Sequence, residues 1–211
     1  LIDAQGRIAR KDAGEADLES LARAVREMLD EARSGGTLAA RKRDPAAPAA
    51  DEGRELRFPG KVRAADGKLF IADTGHHRVL VADRDGRVLE SIGSGGVGDR
   101  DGSFDGASFH APRGMALIGR NLYVADPENH RIRRADLDAR TVTTAAGTGR
   151  MGGGSAKTRR APCETPLRSP WDLCEVGEGL LVAMAGSHQI WAYDPGRELC
   201  GPFAGTGLEH H

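Results

Sequence analysis

Apolar and polar residues follow two different patterns along this chain of 211 residues. In the N-terminal part, apolar residues are spaced three and four positions apart, at Leu18, Leu21, Ala22, Val25, Met28, Leu29 and Ala32. Asp17 stands where a helix N-cap would stand, and Gly35 and Gly36 follow the last apolar residue. This pattern predicts one amphipathic helix between Asp17 and Gly35.

The residues before this helix predict a β-hairpin, because residues 1–3 and 7–9 are two short apolar arms around the turn residues 4–6. Chains of fewer than about 40 residues rarely form a sufficient hydrophobic core by themselves. A hairpin and one helix therefore cannot bury their apolar faces by themselves.

Residues 34–57 differ in composition from both neighbouring segments. They contain the basic triplet Arg41-Lys42-Arg43 and the Ala/Pro stretch of residues 45–50. This composition predicts a linker. The basic triplet is followed by acidic residues, at Asp44, Asp51, Glu52 and Glu55. We therefore interpret the triplet as part of a solvated connector and not as a nucleic-acid contact.

From residue 58 onward, short apolar runs alternate with turn residues, and the pattern occurs three times. The best-matching segments are Leu69–Val79, Leu122–Ile132 and Leu180–Ile190. Each copy begins with a dipeptide whose second residue is proline, at Phe58-Pro59, Ala111-Pro112 and Ser169-Pro170. Each copy closes at a glycine, at Gly93, Gly147 and Gly205.

Each copy has room for four short strands. In the first copy we predict strands at Lys61–Ala65, Lys68–Asp73, Arg78–Ala82 and Arg87–Ile92. Asp66-Gly67 and Asp85-Gly86 predict hairpin turns between them. Four antiparallel strands repeated every 40 to 60 residues or so are typical of β-propeller blades. We therefore predict a mainly β fold with three blades, at about 58–109, 110–167 and 168–207.

Charge, hydropathy and cysteine content indicate which partners and which cellular location to expect. The chain has 30 Lys and Arg against 31 Asp and Glu, so it has no general attraction for nucleic acid or anionic lipid. No apolar run approaches the roughly 18 residues that span a bilayer. Three cysteines without a C-x-x-C pair favour a reducing, cytoplasmic location. Residues 208–211, Leu-Glu-His-His, are interpreted as the start of a polyhistidine tag.

Specific residues carry a resemblance to a known family. His76-His77-Arg78-Val79 and Asn129-His130-Arg131-Ile132 each follow a strand that ends in Ala-Asp, and both resemble the NHL repeat of six-bladed β-propellers. Residues 183–191, Ala-Met-Ala-Gly-Ser-His-Gln-Ile-Trp, resemble the third-blade variant of thioredoxin-like proteins that carry an NHL propeller. Residues 1–33 are similar to the last hairpin and helix of a thioredoxin-like domain. The resemblance implies that the redox cysteines of such a domain lie upstream of Leu1.

The repeated polar residues are the candidate site residues. We interpret Asp73 and Asp126 as structural turn residues, because a carboxylate at a strand end can accept hydrogen bonds from turn N–H groups. Binding at the propeller loops is assigned to the repeated cations and imidazoles, at His77, His130, His188, Arg78 and Arg131. Functional sites grafted onto a repeat usually break it. We therefore expect no catalytic residue, no metal and no cofactor in this chain.

Three more specific functional interpretations of these and other polar residues remain open. The equivalent histidines His77, His130 and His188 could share a metal on the propeller axis. The carboxylates Asp99, Asp101 and Asp105 could hold a cation, although Phe104 and His110 stand where an EF-hand needs Gly and Glu. The pairs Arg133-Arg134 and Arg159-Arg160 could contact RNA.

We therefore predict an NHL-type scaffold that binds a protein or a small ligand, attached to a thioredoxin-like domain, with no catalysis within this chain. One alternative is an accessory part of a thiol–disulfide or peroxide redox enzyme, with oxidoreductase activity in the full-length protein. Another is a metal-dependent lyase or hydrolase on the propeller axis. We expect no nucleic-acid or membrane partner. Three blades leave a ring unclosed, which predicts a homodimer through the open blade edges.

Overall fold

A computed structural model describes residues 18–36, 56–153 and 158–207. The chain divides into two compact units, residues 1–53 and 54–211. The hairpin predicted for residues 1–9 lies outside the described residues, as do most of the predicted linker and residues 208–211.

The described part of the first unit is one helix, α1, at Leu18–Ser34. It begins directly after Asp17 and ends before Gly35, as the spacing of apolar residues predicts. The N–H of Gly35 donates to the Glu31 carbonyl, which completes the last turn. Val25 and Leu29 are 39% and 40% exposed. Within residues 18–36, 56–153 and 158–207, no helix has the length and hydropathy to cross a membrane.

Three antiparallel sheets form the second unit, and we call them blades 1 to 3. Blade 1 contains β1 (Pro59–Ala65), β2 (Lys68–Asp73), β3 (Arg78–Asp83) and β4 (Val88–Ile92). Blade 2 contains β5 (Gly102–Ser103), β6 (Met115–Ile118), β7 (Asn121–Asp126), β8 (Arg131–Asp136) and β9 (Thr141–Ala146). Blade 3 contains β10 (Pro170–Val176), β11 (Gly179–Met184), β12 (Gln189–Asp194) and β13 (Leu199–Ala204). The mainly β fold with four-stranded antiparallel blades is therefore confirmed.

The predicted strand limits in blade 1 differ from the structure at three places, one of which is that β3 ends at Asp83, one residue later than predicted. β1 begins at Pro59, two residues earlier than predicted, because a bulge between Pro59 and Lys61 extends its pairing with β2. β4 begins at Val88 and not at Arg87. The N–H of Arg87 donates to the Asp83 carboxylate at 2.8 Å, and this bond keeps Arg87 in the turn.

Blade 2 has a fifth strand that the sequence pattern does not indicate. The long connection after blade 1 folds back so that β5 pairs with the outer strand β9. Phe104 and Phe109 lie in this connection and are 1% and 0% exposed. Both pack in a core cluster with residues of blades 1 and 2, so the connection is held by its aromatic side chains.

The hydrophobic core lies between neighbouring blades. Each strand alternates, so a blade has an upstream face toward the preceding blade and a downstream face toward the following one. The upstream face of blade 2 packs with blade 1 through Leu122, Val124, Ala135 and Val142. Its downstream face packs with blade 3 through Tyr123, Ala125, Ile132 and Ala146. The rings of Tyr123 and Tyr193 meet edge to face across this second junction, with centroids 5.8 Å apart.

Candidate functional site

The repeated histidines follow three equivalent short turns, which we call the histidine turns. These 3-10 turns join the second and third long strands of each blade, at Thr74–His76, Pro127–Asn129 and Ala185–Ser187. The next residue is a histidine with left-handed backbone, with φ of 53° at His77, 51° at His130 and 50° at His188. Left-handed φ is uncommon for residues other than glycine, so its threefold occurrence marks one repeated backbone design.

Two of these histidines connect neighbouring blades. The Nδ1 of His77 accepts a hydrogen bond from the N–H of Ala111 at 3.0 Å, and the Nδ1 of His130 accepts one from Ser169 at 3.2 Å. Ala111 and Ser169 open the following blade. An imidazole that accepts at Nδ1 carries its proton on Nε2. The repeated imidazole therefore ties each blade to the next in its neutral form.

The surroundings favour that neutral form. Burial lowers the pKa of His77, and the nearby His110, Arg57 and His76 lower it further, while Asp73 opposes them. The His110 ring lies 5.7 Å from the His77 ring. Burial also lowers the pKa of His130, against the opposite effect of Glu128. Both shifts favour the neutral imidazole, in agreement with the hydrogen bonds that the two Nδ1 atoms accept.

The strand-end carboxylates make a second repeated link. A carboxylate oxygen of Asp73 accepts the N–H of Arg57 at 2.7 Å, and one of Asp126 accepts the N–H of His110 at 2.8 Å. Blade 3 has a methionine at this position. Its thioether sulfur lies 3.3 Å from the Arg168 N–H, in the same arrangement. Loss of the aspartate in blade 3 thus changes the acceptor and keeps the link.

The second oxygen of each aspartate faces the histidine turn. Asp73 Oδ2 is 2.9 Å from His76 Nδ1 and 2.9 Å from Arg78 Nε. His76 and Asp73 have the arrangement of a general base and the carboxylate that orients it. In blade 2, however, the position of His76 is taken by Asn129, whose amide donates to Asp126 at 2.8 Å. An amide cannot act as a base. The feature that the two blades share is therefore a side chain that forms a hydrogen bond with the aspartate carboxylate.

Arg78 and Arg131 occupy equivalent positions but have different partners. Arg78 reaches the aspartate of its own blade. Arg131 instead donates from Nη1 to the carbonyl and the carboxylate of Asp99, at 3.0 and 2.9 Å. Arg131 therefore fastens the connection between blades 1 and 2 to the histidine turn of blade 2.

The sequence reasoning missed the role of Arg133. Its side chain is fully buried and donates to Asp126 at 3.1 Å, to Asp101 at 2.7 Å and to the Ser108 and Arg100 carbonyls. Burial raises the pKa of Asp126, while Asn129, His110 and Arg133 oppose the increase. The suggestion that Arg133 contacts RNA is wrong, because no atom of its side chain reaches the surface.

A signal for this network was present in the sequence. The positions equivalent to Arg133 in blades 1 and 3 hold Leu80 and Trp191, which are both buried. A cation at a position that is otherwise apolar requires buried acceptors, since an unpaired buried charge is very costly. Asp101 of the preceding connection, one of the residues that also suggested a cation site, is one of those acceptors, and Asp126 at the end of β7 is another.

Two of the three candidate carboxylates of that connection, Asp99 and Asp101, have protein partners, while Asp105 is exposed. Asp101 accepts hydrogen bonds from Arg133 and from the N–H of Thr144, and Asp99 binds Arg131. Among the residues that the structure describes, no group of three or more His, Cys, Asp or Glu side chains is placed to hold a metal ion. The geometry of Asp99 and Asp101 thus supports loop attachment.

His188 lies in a different setting from His77 and His130. Its side chain is exposed on the downstream face of blade 3. There it contributes to a shallow apolar groove of about 320 Å³, whose other lining residues include Met184, Ile190 and Gly205. The structure thus places His77 and His130 inside blade junctions and His188 on an open one.

Comparison with known proteins agrees with this architecture. No protein-family model matches the chain. NHL repeat-containing protein 2 of Homo sapiens is 42% identical over 180 residues, and the match covers 74% of this chain and 24% of the human protein. The Bos taurus protein of the same name is 42% identical over 177 residues, with the same coverage. Protein SUPPRESSOR OF QUENCHING 1, chloroplastic, of Arabidopsis thaliana is 38% identical over 163 residues, which cover 74% of this chain and 15% of that protein.

The chain thus spans about a quarter of the length of the NHL repeat-containing relatives that it matches. Among solved structures, a protein of unknown function from Bacteroides thetaiotaomicron VPI-5482 superposes with a TM-score of 0.56 at 24% identity. The superposition covers 67% of this chain and 38% of that protein, and it supports the fold alone.

Proposed function

Because this chain belongs to the family of NHL repeat-containing β-propeller proteins, we propose that its blades are a rigid scaffold that binds a protein or a small ligand. In this proposal the scaffold itself catalyses no reaction. Beside this family membership, the chemistry of the repeated side chains supports the proposal.

One observation carries the proposal. The repeated Asp and His side chains of blades 1 and 2 each have a backbone N–H of a blade-opening segment as partner. A group whose polar atoms are committed to such bonds holds the fold and is poorly placed to act on a substrate. What remains for function is the surface that these bonds keep in place.

The histidine turns and the adjacent connection offer such a surface. Glu128, at the centre of the blade 2 turn, is exposed, and so are Asp99 and Arg100 in the connection. Arg131 holds the connection against this turn. Rigid turns and loops at one edge of a propeller are suited to recognition, because little conformational entropy is lost when a partner binds. We place the binding face here, at residues 94–101 and 127–131.

The proposed binding face is tested with two charge reversals. Glu128→Arg changes an exposed carboxylate on the face, and Asp85→Arg changes one in the hairpin turn at the other end of a blade. Each protein is immobilised, and what it captures from a lysate of the source organism is identified by mass spectrometry. We expect a reproducible partner that wild type and Asp85→Arg retain and Glu128→Arg loses. Capture of no protein, or equal capture by all three proteins, would overturn the proposal of a protein-binding face at these residues.

A second candidate function follows from the N-terminal segment. The segment contains the 17-residue helix α1, and the resemblance of residues 1–33 to the end of a thioredoxin-like domain supports this candidate. On this basis the propeller would position a substrate for thiol–disulfide or peroxide chemistry carried out upstream. Sequencing the complete reading frame tests this: a cysteine pair near the start of an upstream thioredoxin-like domain supports it, and the lack of such a pair rejects it.

A further inference from the structure

A pocket of about 400 Å³ lies at the junction of blades 2 and 3. β8 and β9 of blade 2 form one wall, and the hairpin between β12 and β13 of blade 3 forms another. The structure describes the blades on both sides, so the pocket does not depend on where the chain begins or ends. Small-molecule sites have volumes of roughly 300 to 1,000 Å³. The size of this pocket therefore suits a small ligand.

The third wall of the pocket is the 3-10 turn Pro162–Glu164. Backbone hydrogen bonds hold this segment against both blades. The N–H of Gly147, which directly follows β9, donates to the Pro162 carbonyl at 3.0 Å. Arg160 and Cys200 on β13 exchange two backbone hydrogen bonds of 2.8 Å. The wall is thus in place in the protein alone, so little ordering of the chain would accompany ligand binding.

Two side chains of the pocket depart from the repeat. Arg134 is the fourth residue of β8, and Tyr193 is the fifth residue of β12. The other blades have apolar residues at the same places, which are Val81 and Ala192 for Arg134, and Ala82 and Ala135 for Tyr193. In the junction of blades 1 and 2, Val81 is 3% exposed and packs in the core cluster. Blade packing therefore does not require an arginine at this place, and functional sites are departures grafted onto a fold.

Three charged side chains border the pocket. Arg134, Glu164 and Glu198 line it and are exposed. Within the described part of the chain, none of these side chains takes part in an ion pair or a hydrogen bond. A guanidinium binds a carboxylate through two parallel N–H donors, and carboxylates accept the N–H groups of an ammonium ion. One guanidinium and two carboxylates are therefore available to a ligand in the same cavity.

Tyr193 and Thr143 supply neutral hydrogen-bonding groups to the pocket. Burial raises the pKa of Tyr193, and Tyr123 raises it further, whereas the charge of Arg134 opposes the increase. The phenol therefore stays protonated at neutral pH and can donate a hydrogen bond. Thr143 on β9 pairs with Arg134 on β8, so both belong to the same wall. Arg134, Tyr193 and Thr143 together form a set of donors that suits an anionic oxygen.

We propose that this pocket binds a small zwitterion, such as a free amino acid or a dipeptide. The carboxylate of the ligand binds Arg134, and Tyr193 and Thr143 donate to it as well. The ammonium group of the ligand binds Glu164 and Glu198. The pocket lies toward the hairpin ends of the blades, whereas the histidine turns lie at the opposite strand ends. The site is therefore separate from the binding face proposed beside the histidine turns, and each is tested by itself.

The three cysteines allow the pocket to be probed directly. Cys163 lines the pocket and is exposed, and Cys174 on β10 is exposed outside it. Burial raises the pKa of Cys200 to about 12, so this thiol is unreactive. Mass spectrometry measures the rates at which iodoacetamide alkylates Cys163 and Cys174. The probes are the common amino acids and a set of glycine-containing dipeptides, and the N-acetylated, C-amidated form of each probe is its uncharged control.

We expect at least one zwitterion to slow the alkylation of Cys163 about fivefold or more at several times its Kd, because a bound ligand excludes the reagent. Cys174 should react at an unchanged rate, and the blocked form of the same probe should give no protection. If no zwitterion protects Cys163, or if the blocked forms protect it equally, the proposal is overturned.

Isothermal titration calorimetry with the same probes tests the charge contacts. Arg134→Gln should weaken binding about 10-fold or more, because the ligand carboxylate loses its charged partner. Glu164→Gln combined with Glu198→Gln should weaken it in the same way through the ammonium group. Arg84→Gln is the matched control, since Arg84 is exposed in the hairpin turn of blade 1, and it should bind like wild type. Circular dichroism checks the fold of each variant, and wild-type affinity in folded Arg134→Gln would contradict the site.

Discussion

The buried charges of blade 2 show how one residue can depart from a repeat and still serve the fold. Arg133 replaces an apolar residue, and its charge is balanced by Asp126 and Asp101 together with backbone carbonyls. These bonds attach the long connection between blades 1 and 2 to blade 2. Removing one member of a buried ion pair leaves the other without compensation, which costs far more than losing a surface pair.

This difference predicts unequal effects for two adjacent arginines. We expect Arg133→Met to reduce the free energy of unfolding by about 3 to 5 kcal/mol, because the buried Asp126 carboxylate loses its cation. Arg134→Met should leave stability nearly unchanged, since Arg134 is exposed. Urea unfolding followed by circular dichroism measures both. Equal loss of stability in the two variants would contradict the assignment of Arg133 to a buried network.

At the residue scale, the sequence predicted the positions of some polar residues but not their hydrogen-bond partners. The strand-end positions of Asp73 and Asp126 are visible from the repeat, because both follow an apolar strand and precede a turn. The other partners of Arg133, which are Asp101 and the carbonyls of Arg100 and Ser108, are not visible, because they lie 25 to 33 residues away in a connection without a periodic pattern. A charge at a repeat position that is otherwise apolar signals a buried network, but it does not identify the acceptors.

At the scale of elements, the glycine that follows the last strand of each blade lies close to the histidine turn of the same blade. Gly147 directly follows β9 and has a φ of 100°, and a Cβ added there would lie 2.3 Å from the carbonyl oxygen of His130. The repeat shows glycine at all three closing positions, although the sequence does not show what the glycine touches. Close approach of two backbone segments explains why no side chain fits here.

We expect Gly147→Ala to destabilise the protein by about 3 kcal/mol or more, because backbone strain and a steric clash act together. Gly67→Ala is the matched control. Gly67 also has positive φ, at 73°, but nothing lies within 4 Å of an added Cβ, so its cost should be about 1 kcal/mol. Thermal unfolding of both variants compares the two costs. A control as destabilised as Gly147→Ala would show that the clash contributes nothing.

The inter-blade histidines predict a pH dependence of stability. Burial lowers the pKa of His77 and His130 below the usual 6.5, so the folded state binds fewer protons than the unfolded state. Stability is therefore complete above about pH 6.5 and declines as the pH falls below that value. The double variant His77→Asn, His130→Asn should show a flatter profile between pH 7 and pH 5.5 in urea titrations. A wild-type profile that rises as the pH falls would contradict this sign.

For the whole molecule, the repeat predicts the fold because each copy repeats strand, turn and closing glycine in register. The blade junctions could not be predicted in the same way. They depend on pairs such as His77 with Ala111, which join side chains to backbone groups in the next copy. The sequence therefore indicates which residues recur, while the structure shows that they connect blades.

The central claim is that the repeated histidines hold blades together and do not gather around a ligand. Long-range ¹H–¹⁵N correlation spectra of the imidazole rings, recorded at pH 7 with and without zinc, test it most directly. We predict that Nδ1 of His77 and His130 is unprotonated, that Nε2 carries the proton and that zinc changes neither ring. Protonated Nδ1 atoms, or zinc-induced shifts of His77, His130 and His188 together, would contradict the account.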